Sequence, residues 1–308
     1  MKIAFVHNNK ALLPEIYAYS DFFRQYNIKC EVVTKNELQG VPRQVEWFFM
    51  GFDTSKRTDG ILKIHEYASA SIPPVRRLKD HVKKYINTQP DFRLFLNEYV
   101  RGQLKFNDNC PWGYRDMGLH PSWLTPPAEP IKKEYDFVYC GSVTKDIAIH
   151  RLLNAFLPTA SMANRSLVVV SRNYETLQQQ YKAASNIQFT GPVPHQDVVN
   201  FIRKAHFAIN YKPDIEPHSY QTVTKLLEYV ACKTPVITSR LPWVEQFQQR
   251  YGGDFFYLEP DLSNFTWQAL QQFNFSFSDL SNWKWEKQIR SSGVLSFLES
   301  KFPELKFS

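Results

Sequence analysis

The residues with the clearest chemical potential lie in one segment, residues 212–238. Its apolar positions recur at i, i+3, i+4 and i+7, which predicts a helix with one buried stripe. The stripe consists of Val223, Leu226, Leu227 and Val230. Lys225 and Glu228 share another face of this helix. Lys225 falls in the first turn, where the positive end of the helix dipole disfavours a cation. An ion pair with Glu228 would offset this only weakly, because Lys preceding Glu is the less favourable orientation.

A bound diphosphate would compensate the charge of Lys225 more fully. The N–H groups of Val223 and Thr224, nearby hydroxyl groups and the Lys225 ammonium could converge on one anion. The hydroxyl groups are those of Ser219, Thr222 and Thr224. Glu228, one turn further along, would accept hydrogen bonds from sugar or ribose hydroxyls. An ordinary ion pair between Lys225 and Glu228 is the alternative.

Two further cations follow predicted strands. Arg172 comes after the strand at 167–171, and Lys212 comes after the strand at 207–211. Ligands of open α/β sheets bind at the carboxyl ends of strands, so either cation could neutralise the negative charge of a ligand there. No pair of carboxylates lies in a loop suited to a metal, so the sequence predicts a site with no metal and no cofactor. Ordinary surface cations are the alternative.

The N-terminal half offers His65 and Glu66 as candidate catalytic residues. They follow a strand-like run at 61–64, and ligands of open α/β sheets bind at such strand ends. Either side chain could act as a base or orient the acceptor hydroxyl. His7, after the first strand, has a similar location. A purely structural histidine is the alternative at both positions.

The elements that must position these residues alternate regularly from residue 135 onward. Predicted strands lie at 137–140, 167–171, 187–190, 207–211, 236–239 and 255–258. Predicted helices lie between them, near 146–157, 174–184, 195–205, 222–232 and 242–250. This alternation is typical of a doubly wound parallel sheet covered by helices.

The 308-residue length indicates about two domains. The first half reads as a second α/β pattern, with strands near 3–6, 30–34, 47–50, 61–64 and 94–96 and helices near 13–26 and 75–86. A proline-rich stretch at 121–130 separates the halves. We therefore predict one α/β domain over 1–130, a second α/β domain over 131–280, and a C-terminal helix over 281–308 that could pack across the domain junction.

The segment 219–238 resembles the donor-binding segment of GT-B glycosyltransferases, especially family 4-like enzymes of bacterial surface polysaccharide synthesis. The polar loop, the Glu228-Tyr pair and the Pro-Val-Ile run at 235–237 carry the resemblance. Residues 137–142, ending in Gly141 and Ser142, resemble the family's first C-domain strand and its glycine turn. Residues 186–194 resemble the next characteristic strand and loop, which implies that the backbone near Val193 contacts the nucleotide base.

The resemblance implies two Rossmann-like doubly wound domains with a donor cleft between them, residues 1–130 being the acceptor-side domain and residues 131–280 the nucleotide-sugar-binding domain. It implies transfer of a hexosyl unit from a nucleotide diphosphate sugar, UDP-sugar above all, to a glycan or lipid-linked acceptor of lipopolysaccharide O-antigen or capsule. Retaining family members often carry a Glu-x7-Glu motif. Tyr220 stands eight residues before Glu228, so the first Glu of that motif is absent from this sequence. Two other interpretations stay open: a catalytically inactive GT-B-like scaffold subunit, or a sugar-nucleotide epimerase.

The charge distribution suggests a partner. The chain carries a net charge of +7, and eight basic residues face three acids between Lys56 and Lys84. The basic residues are Lys56, Arg57, Lys63, Arg76, Arg77, Lys79, Lys83 and Lys84. Such a region could bind an anionic membrane surface, or be an ordinary solvated face. No nucleic-acid-binding motif accompanies the charge. Without a signal-like start or a membrane-length apolar run, we expect a cytoplasmic protein, peripheral on the inner membrane face.

Overall fold

The computed structural model describes residues 1–7, 13–49, 52–71, 75–143 and 147–307. The chain divides into two compact units. Unit 1 comprises Met1–His120 together with Asn282–Ser308, and unit 2 comprises Pro121–Ser281. Unit 1 is therefore discontinuous in sequence, whereas unit 2 is one continuous stretch.

The strands of the described residues are β1 (Lys2–Val6), β2 (Lys29–Val33), β3 (Val45–Phe49), β4 (Leu62–Tyr67), β5 (Phe92–Phe95), β6 (Trp112–Tyr114), β7 (Tyr135–Cys140), β8 (Leu167–Val170), β9 (Ile187–Phe189), β10 (Ala205–Asn210), β11 (Val236–Ser239) and β12 (Phe256–Leu258). The helices are α1 (Pro14–Arg24), α2 (Arg76–Ile86), α3 (Glu98–Leu104), α4 (Pro121–Leu124), α5 (His150–Asn154), α6 (Glu175–Gln180), α7 (His195–Arg203), α8 (Thr224–Ala231), α9 (Pro242–Tyr251), α10 (Trp267–Gln272), α11 (Trp285–Ser291) and α12 (Val294–Lys301). A short 3-10 helix, Leu38–Gly40, follows β2.

Unit 1 is built on a parallel sheet with the strand order β2-β1-β3-β4-β5-β6. Its main core is aromatic, and the ring of Tyr19 on α1 lies 4.5 Å from that of Trp47 on β3. The C-terminal helices complete this core, since Leu298 is fully buried in it and the Phe297 ring lies 4.8 Å from Phe92 of β5. Each of the five strands predicted here is present, and the short, glycine-containing β6 is an addition.

Unit 2 is built on a parallel sheet with the strand order β12-β11-β10-β7-β8-β9. All six predicted strands are present, within two residues of the predicted ends. β7 is the first strand, and the chain builds outward from it to β8 on one side and β10 on the other. The point where the strand order reverses is therefore between β7 and β10, which is where open α/β sheets bind ligands. The two sheets together confirm the predicted pair of doubly wound α/β domains.

The ends of the units differ from the predicted domain limits. Unit 2 begins at Pro121, because Arg203 of α7 donates to the carbonyl oxygens of Trp123 (3.1 Å) and Thr125 (2.8 Å) and so ties the start of the proline-rich stretch to unit 2. The segment predicted as a separate C-terminal helix forms α11 and α12 and belongs to unit 1. Within the described residues, none of the helices combines the length and apolar character needed to cross a membrane.

Candidate active site

Helix α8 carries the residues that the sequence singles out. Its predicted stripe is buried, with Val223, Leu226 and Leu227 each at most 4% exposed. Val223 is the N-cap residue, and it makes no side-chain capping hydrogen bond. The first turn holds no acidic residue either. Val223 and the first turn of α8 therefore supply no anion to the positive end of the helix dipole, and such an end can bind an anionic ligand.

Tyr229 fixes α8 against the switch point of the sheet. Its buried hydroxyl accepts a hydrogen bond from the backbone N–H of Cys140 at 3.0 Å. The same hydroxyl lies within donating distance of the carbonyl oxygens of Cys140 (3.3 Å) and Ile209 (3.4 Å). One side chain thus joins the carboxyl ends of β7 and β10. This anchoring holds the rest of α8, including Lys225 and Glu228, at the ligand-binding edge.

Lys225, Glu228 and His195 form a continuous polar chain. The Nζ of Lys225 donates to Oε2 of Glu228 at 2.7 Å, so the ion pair that the sequence left as an alternative is present. The Nε2 of His195 lies 3.0 Å from Oε1 of the same carboxylate. Only 3% of the Glu228 side chain is exposed, against 31% for Lys225 and 37% for His195. The carboxylate is thus buried behind two side chains that reach the surface.

The mutual attraction of Glu228 and Lys225 favours the charged forms of both side chains. Burial alone would raise the pKa of Glu228, but the charge of Lys225 and the hydrogen bond from His195 outweigh it, so the pKa is lowered. Burial would likewise lower the pKa of Lys225, and the attraction of Glu228 reverses this so that the pKa is raised. Glu228 therefore stays ionised at neutral pH.

His195 was not a predicted site residue. It is the first residue of α7, directly after the 186–194 loop that the sequence associates with the nucleotide base. Its ring lies 5.2 Å from that of Trp123 on α4, and the two planes are tilted by 33°. Its position directly after residues 186–194 is the sequence feature that could have indicated His195. The contact with Glu228, 33 residues away, is a product of the fold.

Lys212 lies half-buried just beyond β10, where its backbone N–H donates to Oγ of Ser239 at 3.0 Å. Burial lowers the pKa of its ammonium group. In the described part of the chain, no acidic side chain forms an ion pair with it. Burying a cation without a counter-charge is unfavourable, so this site accommodates an anion readily.

The other predicted binding residues lie along the same carboxyl edge of the unit 2 sheet. Gly141 and Ser142 follow β7, and the carbonyl oxygen of Ser142 accepts from the Tyr139 hydroxyl at 2.6 Å. Arg172 is exposed beyond β8, and Val193 is half-buried in the loop after β9. The topology thus brings residues from four strand ends to one edge.

The three predicted hydroxyl groups have different environments. Thr222 and Thr224 are half-buried at the start of α8. Ser219 is fully buried instead, and its backbone carbonyl accepts from the N–H of Trp243 at 3.0 Å. The Oγ of Ser219 and the Nε2 of the buried Gln221 have no hydrogen-bond partner among the described residues. Buried polar atoms without partners are uncommon, and both of these atoms belong to the loop that leads into α8.

His65 and Glu66 lie inside unit 1, on opposite faces of β4. His65 is fully buried, with its Nε2 3.0 Å from Oδ2 of Asp53, and burial lowers its pKa. Glu66 is 1% exposed and is held by Arg115 and by the indole N–H of Trp47 at 2.8 Å. Neither side chain reaches solvent in this arrangement. A catalytic role for them stays a prediction that the observed burial does not favour.

The basic run between Lys56 and Lys84 is not one continuous charged face. Lys63 lies buried 3.0 Å from Asp53, and Arg57 pairs with Asp91 at 2.8 Å. The side chains of Arg76 and Arg77 lie outside the described residues. Successive residues of a strand point to opposite faces and those of a helix point around its axis, so nearness in sequence does not gather these charges on one surface.

Two comparisons with known proteins give matches, one to the sequence of residues 134–271 and one to the fold of the whole chain. Residues 134–271, which include all six strands of the unit 2 sheet, match the family model of glycosyl transferases group 1. No curated protein gives a significant match to the chain.

Several solved structures have a similar fold. Anabaena HepE, in complex with UDP and glucose, aligns with a TM-score of 0.64 at 11% identity, covering 99% of this chain and 100% of that chain. Sucrose-phosphate synthase from Thermosynechococcus elongatus aligns with a TM-score of 0.61 at 12% identity, covering 94% of this chain and 92% of that chain. The UDP-GlcNAc 2-epimerase of Methanocaldococcus jannaschii aligns with a TM-score of 0.54 at 12% identity, covering 96% of this chain and 100% of that chain.

At such low identities these structures establish the fold alone, and an epimerase shares it with transferases. The match to glycosyl transferases group 1 is confined to residues 134–271. The α8 segment with Lys225 and Glu228 lies inside the matched region. The fold is therefore of the GT-B type, and residues 134–271 match the family of glycosyl transferases group 1.

Proposed function

We propose that this enzyme transfers a hexosyl unit from a nucleotide diphosphate sugar, UDP-sugar first among them, to a glycan or lipid-linked acceptor. The observation that carries the proposal is the half-buried Lys212, a cation without an acidic partner in the described part of the chain, at the same sheet edge as the uncapped N-terminus of α8. A diphosphate supplies the negative charge that both features lack. The UDP and glucose bound to Anabaena HepE support a UDP-sugar donor.

In this proposal the diphosphate binds between the N–H groups at the start of α8 and the ammonium groups of Lys212 and Lys225. The hydroxyl groups of Thr222 and Thr224 and the turn at Gly141 and Ser142 border it. Ser219 does not contact the diphosphate directly, because it is fully buried. We propose these roles because the residues lie along the same carboxyl edge of the unit 2 sheet.

The remaining proposed contacts with the nucleotide sugar involve Glu228, which is held by Lys225 and His195. Its carboxylate accepts hydrogen bonds from ribose or sugar hydroxyls while Lys225 and His195 hold it in place. The backbone at Val193 contacts the nucleotide base, and Arg172 adds positive charge on the β8 side.

The transfer breaks the bond between the anomeric carbon and the diphosphate oxygen, forms a bond from that carbon to an acceptor hydroxyl oxygen, and passes the hydroxyl proton to the departing diphosphate. Negative charge grows on the departing diphosphate, and fixed cations that lie close to it stabilise the transition state. Lys212 and Lys225 supply this charge, so we propose a metal-independent reaction. Retention of the anomeric configuration is proposed from the resemblance of the α8 segment to retaining enzymes.

The same resemblance supports a role in surface polysaccharide synthesis, lipopolysaccharide O-antigen or capsule, on the cytoplasmic side of the membrane. An inactive scaffold and a sugar-nucleotide epimerase are the competing functions. An epimerase would convert the donor without an acceptor, and a scaffold would bind no nucleotide. Product analysis with and without a glycan acceptor separates the three.

A thermal-shift screen tests the donor site. UDP, GDP, ADP and CMP, each with its sugar derivatives, are compared on the wild type, Lys225→Ala and Glu228→Ala, with Lys182→Ala as an exposed control. A ligand at 100 times its Kd stabilises the folded protein by about 2.7 kcal/mol. We expect a uridine nucleotide to give a shift in the wild type and the control that is lost in both site variants. If no nucleotide shifts the wild type at millimolar concentration, the proposed function is wrong.

A further inference from the structure

Helix α2 has the reverse of the usual burial pattern for a surface helix. Its charged residues Asp80 and Lys83 are buried, at 6% and 8% exposure. Its apolar residues Leu78, Tyr85 and Ile86 are exposed, at 59%, 69% and 51%. A helix on a soluble protein normally turns its apolar stripe to the core and its charges to water. The outward side of α2 is therefore suited to an apolar environment.

A buried polar cluster fixes the rotation of α2. The Nζ of Lys83 lies 3.6 Å from Oδ1 of Asp80 and donates to Oγ of Ser71 at 2.8 Å. The backbone N–H of Ser71 donates to the same Asp80 oxygen at 3.3 Å. Turning the helix to bury its apolar side would break both contacts with Ser71 and carry Asp80 and Lys83 out of their buried site. The exposure of the apolar side is therefore a stable property of the fold.

The exposed apolar residues form one stripe along α2. Leu78, Tyr85 and Ile86 are spaced at i, i+7 and i+8, and the half-buried Val82 fills the position between them. This spacing keeps all four on one side of a helix with 3.6 residues per turn. The stripe extends over the last nine of the eleven residues of α2.

Apart from the buried Asp80, the charged residues of α2 itself are all basic. The α2 sequence contains five basic residues and one acid, and that acid is the buried Asp80. Lys79 and Lys84 are half-buried beside the stripe, and the Lys84 ammonium lies 5.8 Å from the ring of Tyr85. An apolar stripe flanked by lysines is the pattern of helices that lie in the head-group layer of a membrane.

We propose that α2 docks unit 1 onto an anionic lipid surface. Leu78, Tyr85 and Ile86 enter the boundary between head groups and acyl chains, while Lys79 and Lys84 pair with lipid phosphates. Charge complementarity selects anionic over neutral lipids, because α2 has no outward-facing acid among its described side chains. The docking needs no nucleotide, so it is independent of the proposed donor site. If the proposed function holds, it also brings the enzyme to the surface where a lipid-linked acceptor resides.

Vesicle flotation of the full-length protein tests the docking. Vesicles of phosphatidylcholine alone are compared with vesicles that also contain phosphatidylglycerol. Binding is measured at about 0.1 M and about 1 M salt, where the Debye length is about 10 Å and about 3 Å. We expect flotation with the phosphatidylglycerol vesicles at low salt, and much less at high salt or without the anionic lipid. Absence of flotation with anionic vesicles at low salt would overturn the proposal and favour a protein partner for this stripe.

Two double variants separate the apolar contribution to vesicle binding from the electrostatic contribution. Leu78→Ser with Ile86→Ser should weaken vesicle binding by at least about tenfold, because two apolar side chains no longer enter the lipid. Lys79→Gln with Lys84→Gln should weaken it by on the order of tenfold or more at low salt, with little further effect at high salt. Tyr17→Ser and Lys287→Gln, at exposed positions of unit 1 away from α2, are the matched controls.

The controls and a folding check make the outcome decisive. Circular dichroism melts should show the native transition in all variants, since every substituted side chain is exposed or half-buried. Equal loss of binding in the controls, or unchanged binding in both α2 variants, would contradict docking through α2. Vesicle binding without any nucleotide response would support this surface while removing the proposed donor site, so the two proposals fail separately.

Discussion

At the scale of single residues, Lys212 links stability and ligand binding most directly. The folded chain holds its ammonium group half-buried, without an acidic partner in the described residues, and burial lowers its pKa. Such a group costs stability in the free protein and contributes to binding once an anion is present. An arrangement that is unfavourable in the free state is common at binding sites.

Lys212→Met should therefore raise the stability of the free protein and weaken nucleotide binding at the same time. We expect the melting temperature without ligand to rise by about 2 to 4 °C, which corresponds to about 1 kcal/mol for a domain of this size. The shift produced by a uridine diphosphate should shrink. Thermal melts with and without nucleotide measure both effects, and Lys182→Met at an exposed position serves as the control. A variant that melts lower than the wild type would contradict this interpretation of Lys212.

His65 gives a second prediction at this scale. Burial lowers its pKa in the folded protein, even though its ring nitrogen lies against Asp53, with the charges of Lys63 and Arg93 also acting on it. As the pH falls below the ordinary histidine pKa of about 6.5, the unfolded chain takes up a proton before the folded one does. Stability should therefore decrease with falling pH, by up to about 1.4 kcal/mol per pH unit for this one group.

His65→Gln should reduce this pH dependence between pH values of about 7 and 5, where the unfolded histidine titrates. The variant should be less stable than the wild type at neutral pH, because Asp53 loses a buried partner. Urea unfolding at several pH values measures both effects. His206→Gln, which replaces an exposed histidine, should keep the wild-type slope. Equal slopes in the wild type and in His65→Gln would show that another group controls the pH response.

At the scale of secondary structure elements, β6 and the C-terminal segment approach each other unusually closely. A Cβ atom at Gly113 of β6 would collide with the backbone carbonyl of Ser292, which lies between α11 and α12. A Cβ atom at Gly118 would collide with Trp285 of α11 in the same way. The edge of the unit 1 sheet therefore depends on glycine where the C-terminal helices pack.

Gly113→Ala should destabilise the protein by about 1 to 3 kcal/mol, because backbone must shift to admit the methyl group. Gly102→Ala is the matched control within the same unit. Gly102 lies in α3 with open space around the position of a Cβ atom, so alanine there should stabilise the helix by about 0.5 to 1 kcal/mol. Denaturant unfolding should move the two midpoints in opposite directions. Similar midpoints for the two variants would contradict the close approach.

At the scale of the whole molecule, the order of the units along the chain has a consequence for folding. Unit 2 is continuous, whereas unit 1 needs residues from both ends of the chain. The C-terminal helices supply buried side chains to the unit 1 core, among them Ile289, Leu295 and Leu298. Removing them would expose a large apolar surface.

A fragment of residues 121–281 should therefore fold alone and keep the nucleotide-dependent thermal shift, because it contains all of unit 2. A fragment of residues 1–120 should not give a cooperative unfolding transition. Adding residues 282–308 through a short flexible linker should restore it. Circular dichroism melts compare the three proteins. Cooperative unfolding of residues 1–120 alone would show that the C-terminal helices are dispensable to unit 1.

The sequence by itself determined the strands of unit 2 and the stripe of α8. Strands of a parallel sheet are buried on both faces, so they read as short runs of apolar and β-branched residues. The apolar spacing of α8 likewise follows from helix geometry alone, and it places Lys225 beside Glu228. These features depend on residues close together in the chain, which is why local patterns suffice to predict them.

Only the tertiary structure decided which distant residues meet. His195 reaches Glu228 because the loop after β9 returns to α8, and no local pattern encodes that contact. His65 reads as a strand-end base, yet Asp53 covers it inside unit 1. Lys83 reads as part of a basic face, yet it is buried with Asp80 while the apolar side of α2 faces outward. In each case burial and long-range pairing set the environment of the side chain, and both depend on the packing of the complete fold.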